Sequence, residues 1–251
     1  MNEYPLFIGN QWRSSADGLV VEDINPADGK AWAKVHLAGE ADIEEALAGA
    51  YAARVRWAAA IPEQREAILL KAAEVTMARA DELTETLITE SGSAYAKARG
   101  EVMGSAGVFR VAAGECRRLS AEVLAPGLEG QVSLTLRRPL GVVLGITPFN
   151  YPLILAVKKL AYALAAGNTF ILKPSPHTPV ISLLIADILK EAGLAPHALN
   201  VLPLPSAEDS ARLVKDPRIA MVSFTGSSRV GRQIAGICGA ELKRFNMELG
   251  G

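Results

Sequence analysis

Val142-Val143-Leu144-Gly145-Ile146 and the loop that follows it, Thr147-Pro148-Phe149-Asn150-Tyr151-Pro152, decide how the chain is read. A short apolar run gives way to a proline-bearing loop and then to a helical pattern near 152–166. The same rhythm recurs toward the C-terminus, with apolar runs at 169–172, 199–202 and 219–223 and helical patterns near 178–192, 207–214 and 228–238. Buried strands alternating with helices predict a parallel sheet covered on both faces. A last strand near 242–247 would deliver Glu248.

Toward the N-terminus the pattern changes. Residues 6–22 alternate apolar and polar side chains around Gly9-Asn10 and Asp17-Gly18, dipeptides that accept the positive φ of tight hairpins, so a small antiparallel entry ribbon is predicted. A helix should start at Asp42 as its cap, with Ile43, Ala46, Leu47 and Ala50 on one face. Pro62 suits the first turn of the next helix, which carries Ile68, Leu69, Ala72 and Val75. Another runs from Asp81 through Leu83, Leu87 and Ile88 toward Gly92, and residues 94–120 continue in helical register with Val102, Val108 and Val111 inward. Ala125-Pro126-Gly127 breaks that pattern, and residues 132–138 alternate as an exposed strand. The expected fold is therefore α/β, a Rossmann-like parallel sheet with helices on both faces, an N-terminal antiparallel ribbon and an exposed bridging ribbon over 123–139.

Composition narrows the partners. The chain has 251 residues, half of them apolar, enough to bury a sizeable core. Its formal charge of −1, with acids and bases mixed, leaves no electrostatic footprint for nucleic acid or anionic lipid. A small-molecule partner is the expectation. Met1-Asn2-Glu3-Tyr4-Pro5 lacks a basic stretch leading into an apolar run, so a cytoplasmic location is expected. The most apolar stretch, 153–166, is interrupted by Lys158-Lys159 and falls short of the roughly 20 residues that span a bilayer. Cys116, Cys238, His36, His177 and His197 show no metal-ligand spacing, so no metal is expected. Both cysteines sit in helical patterns and read as buried structural thiols.

Ligands of open parallel sheets bind beyond the carboxyl ends of the strands, and three stretches fall at that edge. Gly226-Ser227-Ser228-Arg229-Val230-Gly231 opens a helix, whose free N–H groups and the Ser227 hydroxyl can hold a pyrophosphate; the bland alternative is a plain strand-to-helix turn. Arg232 and Gln233 stand where a kinase-type phosphate loop needs Lys and Ser or Thr, which excludes that loop. Lys173 ends a strand before Pro174, where its ammonium can meet ribose hydroxyls or merely keep its head in water. Asn150 can be a helix cap or a donor to developing negative charge. Glu248, among Phe245, Met247 and Leu249, is a surface glutamate or, if half-buried, a base with a raised pKa.

Taken together, Ile146 to Pro152, Leu172-Lys173-Pro174-Ser175, Phe224 to Gly231 and Phe245-Asn246-Met247-Glu248-Leu249-Gly250-Gly251 resemble, in order and spacing, the first half of an NAD(P)-dependent aldehyde dehydrogenase. The resemblance runs over the whole chain from Leu6-Phe7-Ile8-Gly9-Asn10-Gln11-Trp12 onward. It implies cofactor contacts by Ile146, Thr147, Pro148, Phe149, Lys173, Ser175, Pro176, Gly226, Ser227, Gly231 and Leu249, with NAD or NADP as cofactor. It implies that Asn150 donates to the oxyanion formed when a cysteine thiolate attacks an aldehyde. Glu248 would then activate the water that hydrolyses the acyl-enzyme. Many NAD-preferring members carry Glu where this chain has Pro176, which leaves the choice between NAD and NADP open. The family's nucleophile lies some thirty residues beyond the motif glutamate, so residues 1–251 are expected to be the dinucleotide-binding domain, inactive alone, of an enzyme that forms homo-oligomers through the 123–139 ribbon. Two rival readings are a non-catalytic nucleotide-binding or assembly module and a CoA-acylating relative; Glu248 weighs against the second.

Overall fold

A computed structural model describes residues 1–250. The chain opens with β1 (Asn2–Tyr4), β2 (Leu6–Ile8), β3 (Gln11–Arg13), β4 (Val20–Ile24) and β5 (Ala31–His36). Four helices follow: α1 (Glu40–Ala59), α2 (Pro62–Ala78), α3 (Ala80–Ser91) and α4 (Tyr95–Glu115). The short strands β6 (Glu122–Leu124) and β7 (Ser133–Thr135) lead into β8 (Val142–Ile146), α5 (Pro152–Ala165), β9 (Thr169–Lys173), α6 (Pro179–Glu191) and β10 (Leu199–Val201). The chain then forms α7 (Ala207–Lys215), β11 (Ile219–Gly226), α8 (Ser228–Ala240) and β12 (Arg244–Leu249).

The main sheet has the order β12-β11-β8-β9-β10-β2-β3. Its β8 to β12 segments are parallel, and β2 and β3 add antiparallel to β10 and to each other. From β8 the chain walks outward through β9 to β10, then returns to the other side of β8 with β11 and β12. The direction reverses between β8 and β11, and that switch point opens a crevice at the carboxyl ends of the two strands.

Side-chain alternation builds the two faces. Val143, Phe170, Leu172, Leu199 and Val201 pack into one core with α2 to α6. Leu144, Ile146, Ile171, Val222 and Phe224 point the other way, toward α1, α7 and α8. Helices thus cover both faces, as the apolar runs predict.

Several details differ from the sequence reading. Gly9-Asn10, both near φ +60°, close the β2–β3 hairpin, but that hairpin extends the main sheet rather than standing apart. Asp17-Gly18 does not pair β3 with β4. It sends the chain into a second sheet of order β1-β5-β4. The first long helix begins at Glu40, and Asp42 reaches back from its first turn to accept the N–H groups of Gly39 and Ala16, each at 3.0 Å. α4 stops at Glu115, and Val111 faces solvent while Phe109 and Ala112 fill the core. The β6–β7 ribbon does protrude, with Val123 and Val132 about three-quarters exposed (77% and 74%).

Candidate functional site

The switch point carries two hollows separated by the Gly226-Ser227 turn. The first is a cleft of about 290 Å³ lined by Ile146, Lys173, Pro176, Leu204 and, from α8, Val230, Ile234 and Ile237. Lys173 is the terminal residue of β9, and burial holds its ammonium below the usual lysine range. It has no carboxylate partner among the described residues, so a buried cation faces an apolar slot. α8 meets the same cleft from its first turn, through Val230.

The second hollow is a groove of about 1010 Å³ whose wall includes Pro148, Phe149, Asn150, Lys159, Ser223, Gly226, Ser227 and Glu248. Parallel pairing of β12 with β11 sets Glu248 beside Thr225 and Leu249 beside Gly226. Ser228 Oγ donates to the Gly250 carbonyl at 3.2 Å, tying the end of β12 to the start of α8. Asn150 precedes α5 but does not cap it; Tyr151 occupies the cap position and the Asn150 side chain is free in the groove. Glu248 is exposed, not half-buried as Phe245, Met247 and Leu249 suggested. Among the described residues β12 is the edge strand, with no strand on its outer side, and Phe245 and Leu249 are themselves 46% and 44% exposed.

The remaining sequence-predicted residues fall into place around these hollows. Ile146 lines the cleft, and the Thr147 N–H donates to the Lys173 carbonyl at 3.2 Å, fastening the ends of β8 and β9. The Thr147 hydroxyl is buried and, like that of Thr225, has no partner among the described residues. Ser175 is buried, and its hydroxyl accepts the His177 N–H at 3.2 Å within the loop that carries Pro176. Ser227 caps α8 by accepting the Val230 N–H at 3.3 Å. Gly231 is buried beneath Leu249: a Cβ there would lie 2.5 Å from Leu249 Cδ2, so glycine lets α8 approach the strands closely. Gly226 likewise leaves room for the Phe224 ring, 2.5 Å from where its Cβ would stand, and it does not have positive φ.

The sequence reading passed over Lys159. Its ammonium donates to Ser223 Oγ at 3.1 Å on the groove floor, and burial brings its pKa down to about 8 against the opposing pull of Glu248. The signal was present in Lys158-Lys159, since neighbours on a helix point about 100° apart and one of the two must turn toward the sheet. The cysteines stand away from both hollows. Cys116 and Cys238 are buried, and burial raises both thiols. Among the described residues no cluster of His, Cys, Asp and Glu could hold a metal, and no helix is long and apolar enough to cross a membrane.

The structure is thus a doubly wound sheet with a lysine-bearing cleft and a larger groove near its switch point, where open α/β sheets bind their ligands. Residues 12–251 match the aldehyde dehydrogenase family, and the chain belongs to it. It is 38% identical to a vanillin dehydrogenase of Pseudomonas fluorescens and 35% identical to a 3-sulfolactaldehyde dehydrogenase of Priestia aryabhattai, in each case over all of this chain and 52% of the relative. The crystal structure of an NAD-dependent aldehyde dehydrogenase from Sinorhizobium meliloti superimposes with a TM-score of 0.96 at 32% identity, covering 99% of this chain and 50% of that one. The chain spans about half the length of the curated relatives it matches.

Proposed function

We propose that residues 1–251 form the dinucleotide-binding domain of an enzyme that oxidises a small aldehyde to its carboxylic acid with NAD or NADP. The observation that carries this reading is the meeting of Asn150 and Glu248 in one groove, directly beside the cleft floored by Lys173. The cleft fits a dinucleotide: Lys173 is an unpaired buried donor for ribose hydroxyls, the α8 terminus attracts a pyrophosphate, and Val230, Ile234 and Ile237 make an apolar slot for a flat base. The cofactor, when bound, accepts the hydride.

In the groove Asn150 is the donor to the oxyanion, a contribution of roughly 3 kcal/mol for a well-placed amide. Glu248 is the base that takes the proton from the hydrolytic water. Lys159, drawn to Glu248 and anchored by Ser223, positions that carboxylate electrostatically. The thiol nucleophile comes from outside these residues, because Cys116 and Cys238 are buried away from the groove. The ribbon over 123–139, with its apolar Val123, Val132 and Leu134 turned outward, serves as the homo-oligomer contact, and the enzyme works in the cytoplasm.

Calorimetry with NAD+ and NADP+ on this chain, followed by cofactor reduction at 340 nm in the complete enzyme, tests the proposal. Binding of either dinucleotide that weakens in Lys173→Ala supports it. Full affinity in that variant removes Lys173 from the site. Cys116→Ala and Cys238→Ala should both retain activity in the complete enzyme, and loss of turnover in either would return the nucleophile to this domain.

A further inference from the structure

The helices that flank the parallel strands start in two different ways. α7 and α8 are capped locally: the Ser206 and Ser227 hydroxyls accept the N–H groups of Asp209 and Val230, three residues on. α5 and α6 have no such cap. Each opens with proline, in Tyr151-Pro152-Leu153-Ile154 and Thr178-Pro179-Val180-Ile181, and neither Tyr151 nor Thr178 bonds the first turn through its side chain. Their free amides are met from outside, by buried glutamates of the helical layer. Glu90, near the end of α3, accepts Val180 and Ile181. Glu101 of α4 accepts Leu153 and Ile154 at 2.8 and 3.1 Å, both through Oε1. A carboxylate in this place also meets the positive end of the helix dipole.

The second of these arrangements brackets the loop that carries Asn150. Glu101 Oε2 stands 3.4 Å from Lys97 Nζ, and the same ammonium lies 4.3 Å over the Tyr151 ring and donates to Ser93 Oγ at 2.6 Å. Gly104 lets α4 come this close, since a Cβ there would lie 2.8 Å from Ile154 Cδ1. α4 therefore grips the chain at Tyr151 through Lys97 and at Leu153 and Ile154 through Glu101, directly after Asn150. The Asn150 side chain is free in the groove, so its place is set by the backbone that bears it.

We propose that Glu101 is a positioning residue for the reaction: with Lys97 as its counter-charge, it fixes the start of α5 and through it the aim of the Asn150 amide at the oxyanion. The inference rests on the reading of Asn150 as the oxyanion donor. Neither Glu101 nor Lys97 lines the groove. Two buried amides deprived of their acceptor would turn to other partners, and the chain before Pro152 would shift with them. A displacement of about 1 Å at a catalytic group is enough to cost about a hundredfold in rate.

The test is a double-mutant cycle in the complete enzyme. Glu101→Met keeps the bulk and removes the acceptor. With Asn150 in place it should lower kcat by about ten- to a hundredfold. In the Asn150→Ala background it should cost less than about threefold, because a donor that is gone cannot be misplaced. Glu101→Gln keeps an oxygen on the two amides, since Lys97, at 29% side-chain exposure, can swing away from the new amide nitrogen. It should return kcat to within about threefold of the unaltered enzyme. Should Glu101→Met not fold, Lys97→Met carries the same cycle at a smaller amplitude, about three- to tenfold, again only where Asn150 is present. Equal losses in both backgrounds, no loss in either variant, or a Glu101→Gln enzyme as slow as Glu101→Met would overturn the positioning role and leave the dehydrogenase reading intact. An Asn150→Ala enzyme with unaltered kcat would remove the oxyanion donor itself, and this inference with it.

Discussion

The cleft and the groove have no lining residue in common, and they are walled to different degrees. The cleft is walled by β8, β9, α7 and α8, all elements of this domain, and its cation Lys173 is already desolvated. The groove is about three times larger, and Glu248 sits exposed on an edge strand. On the proposed reading, the cofactor cleft is completed by local packing, whereas Asn150 and Glu248 stand in the open groove.

The sharpest way to break this contrast is at the groove. Asn150→Ala in the complete enzyme should lower kcat by about 10²–10³, the cost of one oxyanion donor, while dinucleotide affinity measured by calorimetry stays within twofold. A comparable loss of cofactor affinity would mean that groove and cleft are not separable. Glu248→Gln should leave a burst of reduced cofactor at one equivalent per site and slow the turnover that follows. Loss of the burst itself would place Glu248 before the hydride step.

The cleft gives a smaller effect of the opposite kind. Lys173→Ala should weaken dinucleotide binding by about ten- to a hundredfold, matching the roughly 1.5–3 kcal/mol of a hydrogen bond to a charged group, and it should do so in the 251-residue chain alone. An effect seen only in the complete enzyme would show that the cleft is not finished locally. Pro176 adds a finer test, since the cleft wall offers no carboxylate at that position to repel a 2′-phosphate. The complete enzyme should accept NADP+ with kcat/KM within about a hundredfold of NAD+, about 2.7 kcal/mol of discrimination. A larger preference for NAD+ would point to another residue that excludes the phosphate.

What could be read in the sequence follows the same division. Strands buried on both faces leave an unambiguous trace, so β8, β9, β10 and β11 were legible from their apolar runs, and with them the edge that carries the site. Pairing across long separations was not. Nothing in Leu6-Phe7-Ile8 announces that β2 lies against β10, about 190 residues away, because a short apolar triplet fits either sheet. Asn150 and Glu248 were legible as candidates because motif order survives without coordinates. The exposure of Glu248 was hidden, since it depends on β12 being an edge strand rather than on its apolar neighbours. Lys159 was missed because a lysine in an apolar helix reads as an interruption until the sheet beneath it supplies Ser223 and Glu248.

The smallest effect concerns what holds the cleft in shape. Glu90, buried, accepts the N–H groups of Val180 and Ile181 at 2.5 and 3.0 Å, fixing the start of α6 directly after the loop that follows Lys173 and bears Pro176. Asp23 of β4 faces it, held by the Trp32 indole at 3.1 Å and near His177. Burial raises both carboxyls, Asp23 to about 6 and Glu90 well above its usual range, where the Asp23 charge adds to the burial; their charges also push up the Tyr4 hydroxyl, after burial itself. The expected outcome is that the two groups hold a proton between them near neutral pH. In the unfolded chain both lose their protons near about pH 4, so between about 4 and 6 the folded state binds more protons than the unfolded one. Stability should therefore fall as pH rises through that window. Asp23→Asn removes the second charge but keeps an acceptor for Trp32 and can donate an amide hydrogen to Glu90. It should flatten the decline in urea-denaturation midpoints between pH 4 and 6, and leave the cofactor affinity of the cleft at pH 7 unchanged or slightly improved. An identical pH profile in the variant would show that the pair does not share a proton, and would leave the two backbone hydrogen bonds of Glu90 as the whole of its contribution.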